Sequence, residues 1–154
     1  MNFLDFQVVS KSTQLPTAEQ FKAWVNAVLV DESEDSEIVI RIVDEDEMIR
    51  FNEQYRGKKG ATNILSFPFD PPEGTDSQLL GDLLVCAPIV ELEAKQQNKN
   101  LEHHWAHMII HGVLHLIGYD HINDMDAEEM EALEIKILIK IKINNPYEEK
   151  VTNE

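Results

Sequence analysis

Thiols, cations and long apolar runs are all scarce in this sequence, and each shortage removes a class of protein. A single cysteine, Cys86, among 154 residues allows no internal disulfide. Within GDLLVCAP it reads as a small buried apolar side chain, and an inert one. No window approaches the run of about 20 apolar residues that a membrane span needs, and MNFLDFQVVS has no basic segment leading into an apolar core. A soluble, cytoplasmic chain without membrane partners is expected. Lys plus Arg number 13 against 29 Asp plus Glu, a formal net charge of -16. That balance argues against a protein that coats nucleic acid with its whole surface, and double-stranded DNA is not an expected partner.

What is present is unevenly placed. Acids crowd DESEDSE (31–37), DEDE (44–47) and DMDAEEMEALE (124–134), while Arg41, Arg50, Arg56, Lys58 and Lys59 supply five of the 13 cations. Charge runs read first as solvated faces; a local basic face on the acidic body is kept for 56–59 alone. The length suits one domain, residues 1–154, with a core that closes without staples.

The apolar pattern predicts nine elements. FLDFQVV alternates loosely as a first strand. Thr17, three residues before Gln20, opens a helix to about Val30 through a capping box, with Phe21, Trp24, Val25, Val28 and Leu29 at helical spacing. EIVIRIV (37–43) is a β-branched strand, and Asp44 with Glu47 caps a short helix holding Met48, Ile49 and Phe51. Trp24 and Phe51 are expected in the core. YRGKKGATN (55–63) reads as a loop, ILSFPF as a strand that Pro68 puts at an edge or an end, and LLGDLLVC (79–86) as a buried strand. Helices follow from Pro88 and over 101–118, the second ending at Gly118, and a last helix starts from Asn123 or Asp124. Residues 135–143, IKILIKIKI, fit a strand period too; helix is favoured because no breaker interrupts AEEMEAL before it. The order implies an α+β fold, a mixed four-stranded sheet packed by helices.

All six histidines fall between 103 and 121, and His103, His107, His111 and His115 stand four apart on one helix stripe. One ion cannot take them all: at about 1.5 Å per residue His107 and His115 are about 12 Å apart along the axis. Two pairs compete. His107 with His111 has no third ligand evident, whereas His111 with His115 is followed by Gly118, which can turn the chain back and bring His121 beside the pair. Three imidazoles leave a tetrahedral zinc one open position, the arrangement of a catalytic site; a closed structural site would call for a thiolate, and Cys86 has no metal-like spacing. His103 and His104 read as surface residues, and His107 as support for the ligands. Nickel, copper or iron would also suit three imidazoles.

The decisive shortage is one glutamate. HGVLHLIGYDH (111–121) matches the metzincin signature H-E-x-x-H-x-x-G-x-x-H at every histidine and at the glycine, but Gly112 stands where those proteases keep their general base. Asp120 is the nearest substitute, yet a residue directly before a ligand more often orients the ligands or the loop. Without that base, metal-assisted attack on a phosphodiester becomes the better reading, and it needs a cation to meet developing charge. Arg56, on the loop, is the candidate.

HGVLHLIGYDH, YRG with TNILSFPF upstream, and LLGDLLVC between them resemble the YbeY family of bacterial rRNA maturation endoribonucleases, from about Tyr55 to the last helix. Ala61 and Asn63 stand where many members carry proline and aspartate. The resemblance implies a zinc-dependent, single-strand-specific endoribonuclease with a metzincin-like active-site helix. It also implies a role in 16S rRNA 3′-end maturation and ribosome quality control, with rRNA and the small subunit or its assembly factors as partners. By the same resemblance His111, His115 and His121 hold the metal, and Arg56 contacts phosphate or stabilises the transition state. Two rivals stand beside it: a metal-dependent peptidase or amide hydrolase, and a non-catalytic assembly factor whose zinc only ties the last loop to the helix.

Overall fold

The structure, a computed structural model, describes residues 3–30, 36–70, 74, 78–119 and 124–143. Among these the elements are β1 (Phe3–Val8), α1 (Ala18–Leu29), β2 (Glu37–Val43), α2 (Glu45–Arg56), β3 (Ile64–Pro68), β4 (Leu79–Cys86), α3 (Ala87–Gln96), α4 (Leu101–Leu116) and α5 (Asp124–Lys140). The strands form one sheet in the order β1-β2-β4-β3. β1, β2 and β4 run parallel, and β3 lies antiparallel to β4 at the edge. This is the expected α+β arrangement with a mixed four-stranded sheet. Pro68 closes an edge strand, where its missing N–H costs no ladder bond.

The alternation of β2 divides the interior in two. Ile38, Ile40 and Ile42, with Leu83 and Val85 of β4, face a large core that α1 and α4 fill with Phe21, Trp24 and Trp105. Phe21 meets Trp24 and Trp105 edge-on, at ring separations of 5.4 and 5.5 Å. Val43, Leu84 and Cys86 point to the other face, where α2 lays Met48 over them. Phe51 only packs against this smaller cluster and stays half-buried, less of a core residue than its spacing suggests. Cys86 is fully buried, and burial pushes its thiol up to about 11, so it is inert as expected.

Local signals set the element ends. Thr17 and Gln20 close the capping box on α1 as expected. Asp44 stands at the N-cap of α2 but makes no side-chain cap there; its carboxylate accepts from the Ser10 hydroxyl and the Lys11 amide, tying down the segment after β1. α2 also runs further than expected, through Tyr55 and Arg56, and ends where Gly57 takes a left-handed conformation at φ 65°. α5 continues to Lys140, so residues 135–140 are helical, not a strand. No helix among the described residues is long and apolar enough to cross a membrane.

Candidate metal centre

α4 is the helix that carries the site, and it lies close against the sheet. Asn100 caps it by accepting from the His103 amide at 3.1 Å, and the helix from His104 to Leu114 is buried except at His111. Gly112 marks a close approach. A Cβ at 112 would stand 2.7 Å from Cδ1 of Ile64 on β3 and 2.9 Å from Cδ2 of Leu83 on β4. The glutamate missing from the peptidase signature is therefore a side chain for which this helix, packed this way, has no room.

One turn apart on α4, His111 and His115 turn their Nε2 atoms toward each other at 3.1 Å, with ring centroids 4.6 Å apart. Two imidazole nitrogens about 2.0 to 2.1 Å from one tetrahedral zinc lie about 3.3 Å from each other. The observed separation fits that edge. Both rings are half-buried. Beyond them Gly118 takes φ 111° and the Tyr119 amide bonds back to the Leu114 carbonyl at 3.0 Å, so the chain turns at the glycine as its position suggested. His121 and Asp120 lie outside the described residues.

The structure adds a residue to the site that sequence reasoning left on a solvated face. Glu134 of α5 is completely buried, and one carboxylate oxygen pairs with Nε2 of His107 at 2.7 Å, the other with Nδ1 of His111 at 2.7 Å. The signal was present: Met130, Ile137 and Leu138 form the buried stripe of α5, and Glu134 stands four residues after the first and four before the last. An acid at an apolar position of a stripe is a different object from an acid in a charge run. His107 is buried as well; burial holds its pKa below the usual histidine value against the opposing pull of Glu134.

His107, His111 and Glu134, of which only His111 is not fully buried, also form a group that could hold a metal, with ligand atoms all within 4.8 Å of one another. Their 2.7 Å contacts are hydrogen-bond lengths, as is the 3.1 Å contact between His111 and His115.

The remaining candidates separate. His104 is buried, not on the surface, and bonds Glu93 of α3 at 3.0 Å. Glu93 also accepts from Asn63, at the start of β3. Burial would raise the Glu93 carboxyl, but the bonds from His104 and Asn63 outweigh it and hold its pKa below the usual value. His103 is half-buried. Arg56 sits on the last turn of α2 rather than in a loop, exposed, and makes no hydrogen bond or ion pair among the described residues; none joins it to the histidines. Its neighbour Tyr55 is 58% exposed and stacks on Phe51 at 5.4 Å. Arg41 is spent internally, forked onto Glu47 at 2.6 and 3.1 Å.

With this geometry in view, comparison with known proteins is specific. The family model described as Endoribonuclease YbeY matches residues 6–142. The chain belongs to the endoribonuclease YbeY family. A curated relative, Endoribonuclease YbeY of Colwellia psychrerythraea, is 50% identical over 148 residues, covering 94% of this chain and 96% of its own. A solution structure of a Thermotoga maritima protein is 24% identical, with a TM-score of 0.59 over 97% of this chain and 99% of that one, and supports the fold. The YbeY match runs from the middle of β1 to just past α5. Arg56, the histidine stripe and Glu134 all lie inside it.

Proposed function

We propose that the chain is a zinc-dependent endoribonuclease that cuts single-stranded RNA, with His111, His115 and His121 as the metal ligands. The observation that carries the reading is the 3.1 Å approach of the His111 and His115 Nε2 atoms, a ready edge for a tetrahedral ion. When bound, such an ion supplies Lewis-acid chemistry suited to phosphodiester hydrolysis. The protein's own part is positional. α4, packed against β3 and β4, holds the two half-buried imidazoles one turn apart. Arg56, always charged and forked, meets phosphate oxygens and the charge that develops on them. The crowded position of Gly112 speaks against a peptidase built on the signature's own base.

The proposed substrate is the 3′ end of small-subunit rRNA, met in the cytoplasm on a ribosomal particle. An acidic chain of net charge -16 is suited to RNA already held by another body, since only a short basic stretch then needs to face it. The test is cleavage of precursor rRNA, free and within ribosomal particles, by the wild type, His115→Ala and Arg56→Ala, with metal analysis of each. Wild-type protein should carry close to one zinc and cut. His115→Ala should lose both, and Arg56→Ala should keep the zinc and lose cleavage by a factor of about 100 or more. Cleavage by His115→Ala at the wild-type rate would overturn the reading, and full activity in Arg56→Ala would remove that residue from it.

A further inference from the structure

We infer that Glu134 is a positioning residue: fixed on one side by His107, its carboxylate holds the hydrogen of His111 on Nδ1 and keeps the Nε2 that faces His115 unprotonated, as a metal ligand must be. The inference rests on the reading of His111 and His115 as ligands. A fully buried carboxylate is tolerated only when its oxygens are satisfied, and Glu134 bonds both imidazoles at 2.7 Å. An ionised carboxylate offers acceptors only, so with Glu134 ionised the hydrogen at each contact belongs to the ring. A neutral imidazole carries one N–H. With that hydrogen on Nδ1, His111 presents Nε2 as a lone pair, 3.1 Å from its counterpart on His115.

The same logic answers the competition between the two histidine pairs. With Glu134 ionised, His107 donates from Nε2 across its 2.7 Å contact, so that nitrogen orients the carboxylate and does not serve as a ligand. The order of command runs from His107 to Glu134 to His111, across the contact between α4 and α5. Carboxylates that orient metal-bound histidines in this way typically change metal affinity by 10 to 100-fold when removed.

The experiment uses ¹⁵N spectra of the imidazoles in metal-free full-length protein, together with zinc affinity from competition with a chelator. In wild type His111 should carry its hydrogen on Nδ1; a hydrogen on Nε2 overturns the inference, and this measurement does not depend on any variant folding. Glu134→Gln keeps the shape but must point an amide N–H at one ring. Facing His111, it should force that ring's hydrogen onto Nε2 and lower zinc affinity by roughly 10 to 100-fold. Facing His107, it should flip His107 alone and leave zinc affinity within about twofold of wild type. Tautomer and affinity must move together; an affinity loss with the His111 tautomer unchanged overturns the inference. If wild type binds no zinc at all, the functional reading fails, whereas zinc binding lost in His115→Ala beside an Nε2-protonated His111 sinks only the role given to Glu134.

Discussion

At position 112 the lack of a side chain is a packing requirement before it is a chemical one. The atoms that a new Cβ would strike at 2.7 and 2.9 Å are the ends of Ile64 and Leu83, which can give a little. Gly112→Ala should therefore fold but lose about 1 to 3 kcal/mol to overpacking, measured by urea denaturation, and Leu83→Ala, itself costly at a fully buried position, should cost less in that background than in wild type. A variant within 0.5 kcal/mol of wild type, on the order of a neutral surface change, would mean that the helix does not approach the sheet this closely. Gly81 is the harsher case. Its φ of 147° disfavours any side chain, and the obstacle is the backbone carbonyl of Phe67 at 2.3 Å, which cannot swing aside. Gly81→Ala should cost more than Gly112→Ala in the same assay, and the reverse order would contradict the packing described. Residues also set the limit of what could be read from sequence. The meeting of His111 and His115 was legible because helical spacing alone brings them together. Glu134 was legible only as an acid on an apolar stripe, because its partners depend on α5 lying against α4, a contact between residues 23 and 27 positions apart in sequence.

At the scale of elements, the ends that carry a chemical signal were legible and those decided by tertiary partners were not. The capping box at Thr17 and Gln20 is a local arrangement and formed as read. Replacing Thr17 by Ala should cost about 1 kcal/mol, seen as a lower denaturation midpoint with unchanged slope. Asp44, by contrast, looks like a cap in sequence but is drawn off by Ser10 and Lys11, far away in the chain. The tract 135–140 carries two periods at once, and its buried side chains, Ile137 and Leu138, became the helix face that continues from Met130. A second tie between elements makes a pH prediction. Glu93 joins α3 to His104 on α4 and to Asn63 at the start of β3, and its pKa is lowered in the fold. A lowered carboxylate contributes stability that is complete above its unfolded value, about 4.3, and is lost as pH falls through the folded one. Glu93→Gln should be less stable than wild type at pH 7 and lose less on acidification, so the two stability curves converge below roughly pH 4. Parallel curves would show that Glu93 does not hold these elements through its charge.

For the whole molecule, the question is how a chain of net charge -16 holds RNA at all. Five cations gather between Arg41 and Lys59, but Arg41 is already cancelled by Glu47. Arg50 is exposed and lines a groove of about 510 Å³ with Arg41, Glu47 and Phe51, and Arg56, Lys58 and Lys59 follow it, all exposed. RNA held by this stretch alone meets at most four such cations. A single strand gives up about 0.7 of a counterion for each phosphate neutralised, so the logarithm of affinity should fall with the logarithm of salt at a slope of roughly 3 or less. That is shallow for a nucleic-acid enzyme, and it is the quantitative form of the idea that another body must hold the substrate. The measurement is fluorescence anisotropy of a labelled single-stranded RNA across a salt series, with metal-free protein so that nothing is cut. Arg56→Ala should lower the slope by about 0.7, the signature of one lost phosphate contact. A slope of 6 or more would mean roughly twice as many contacts as this stretch provides, and would bring other parts of the protein into contact with the RNA.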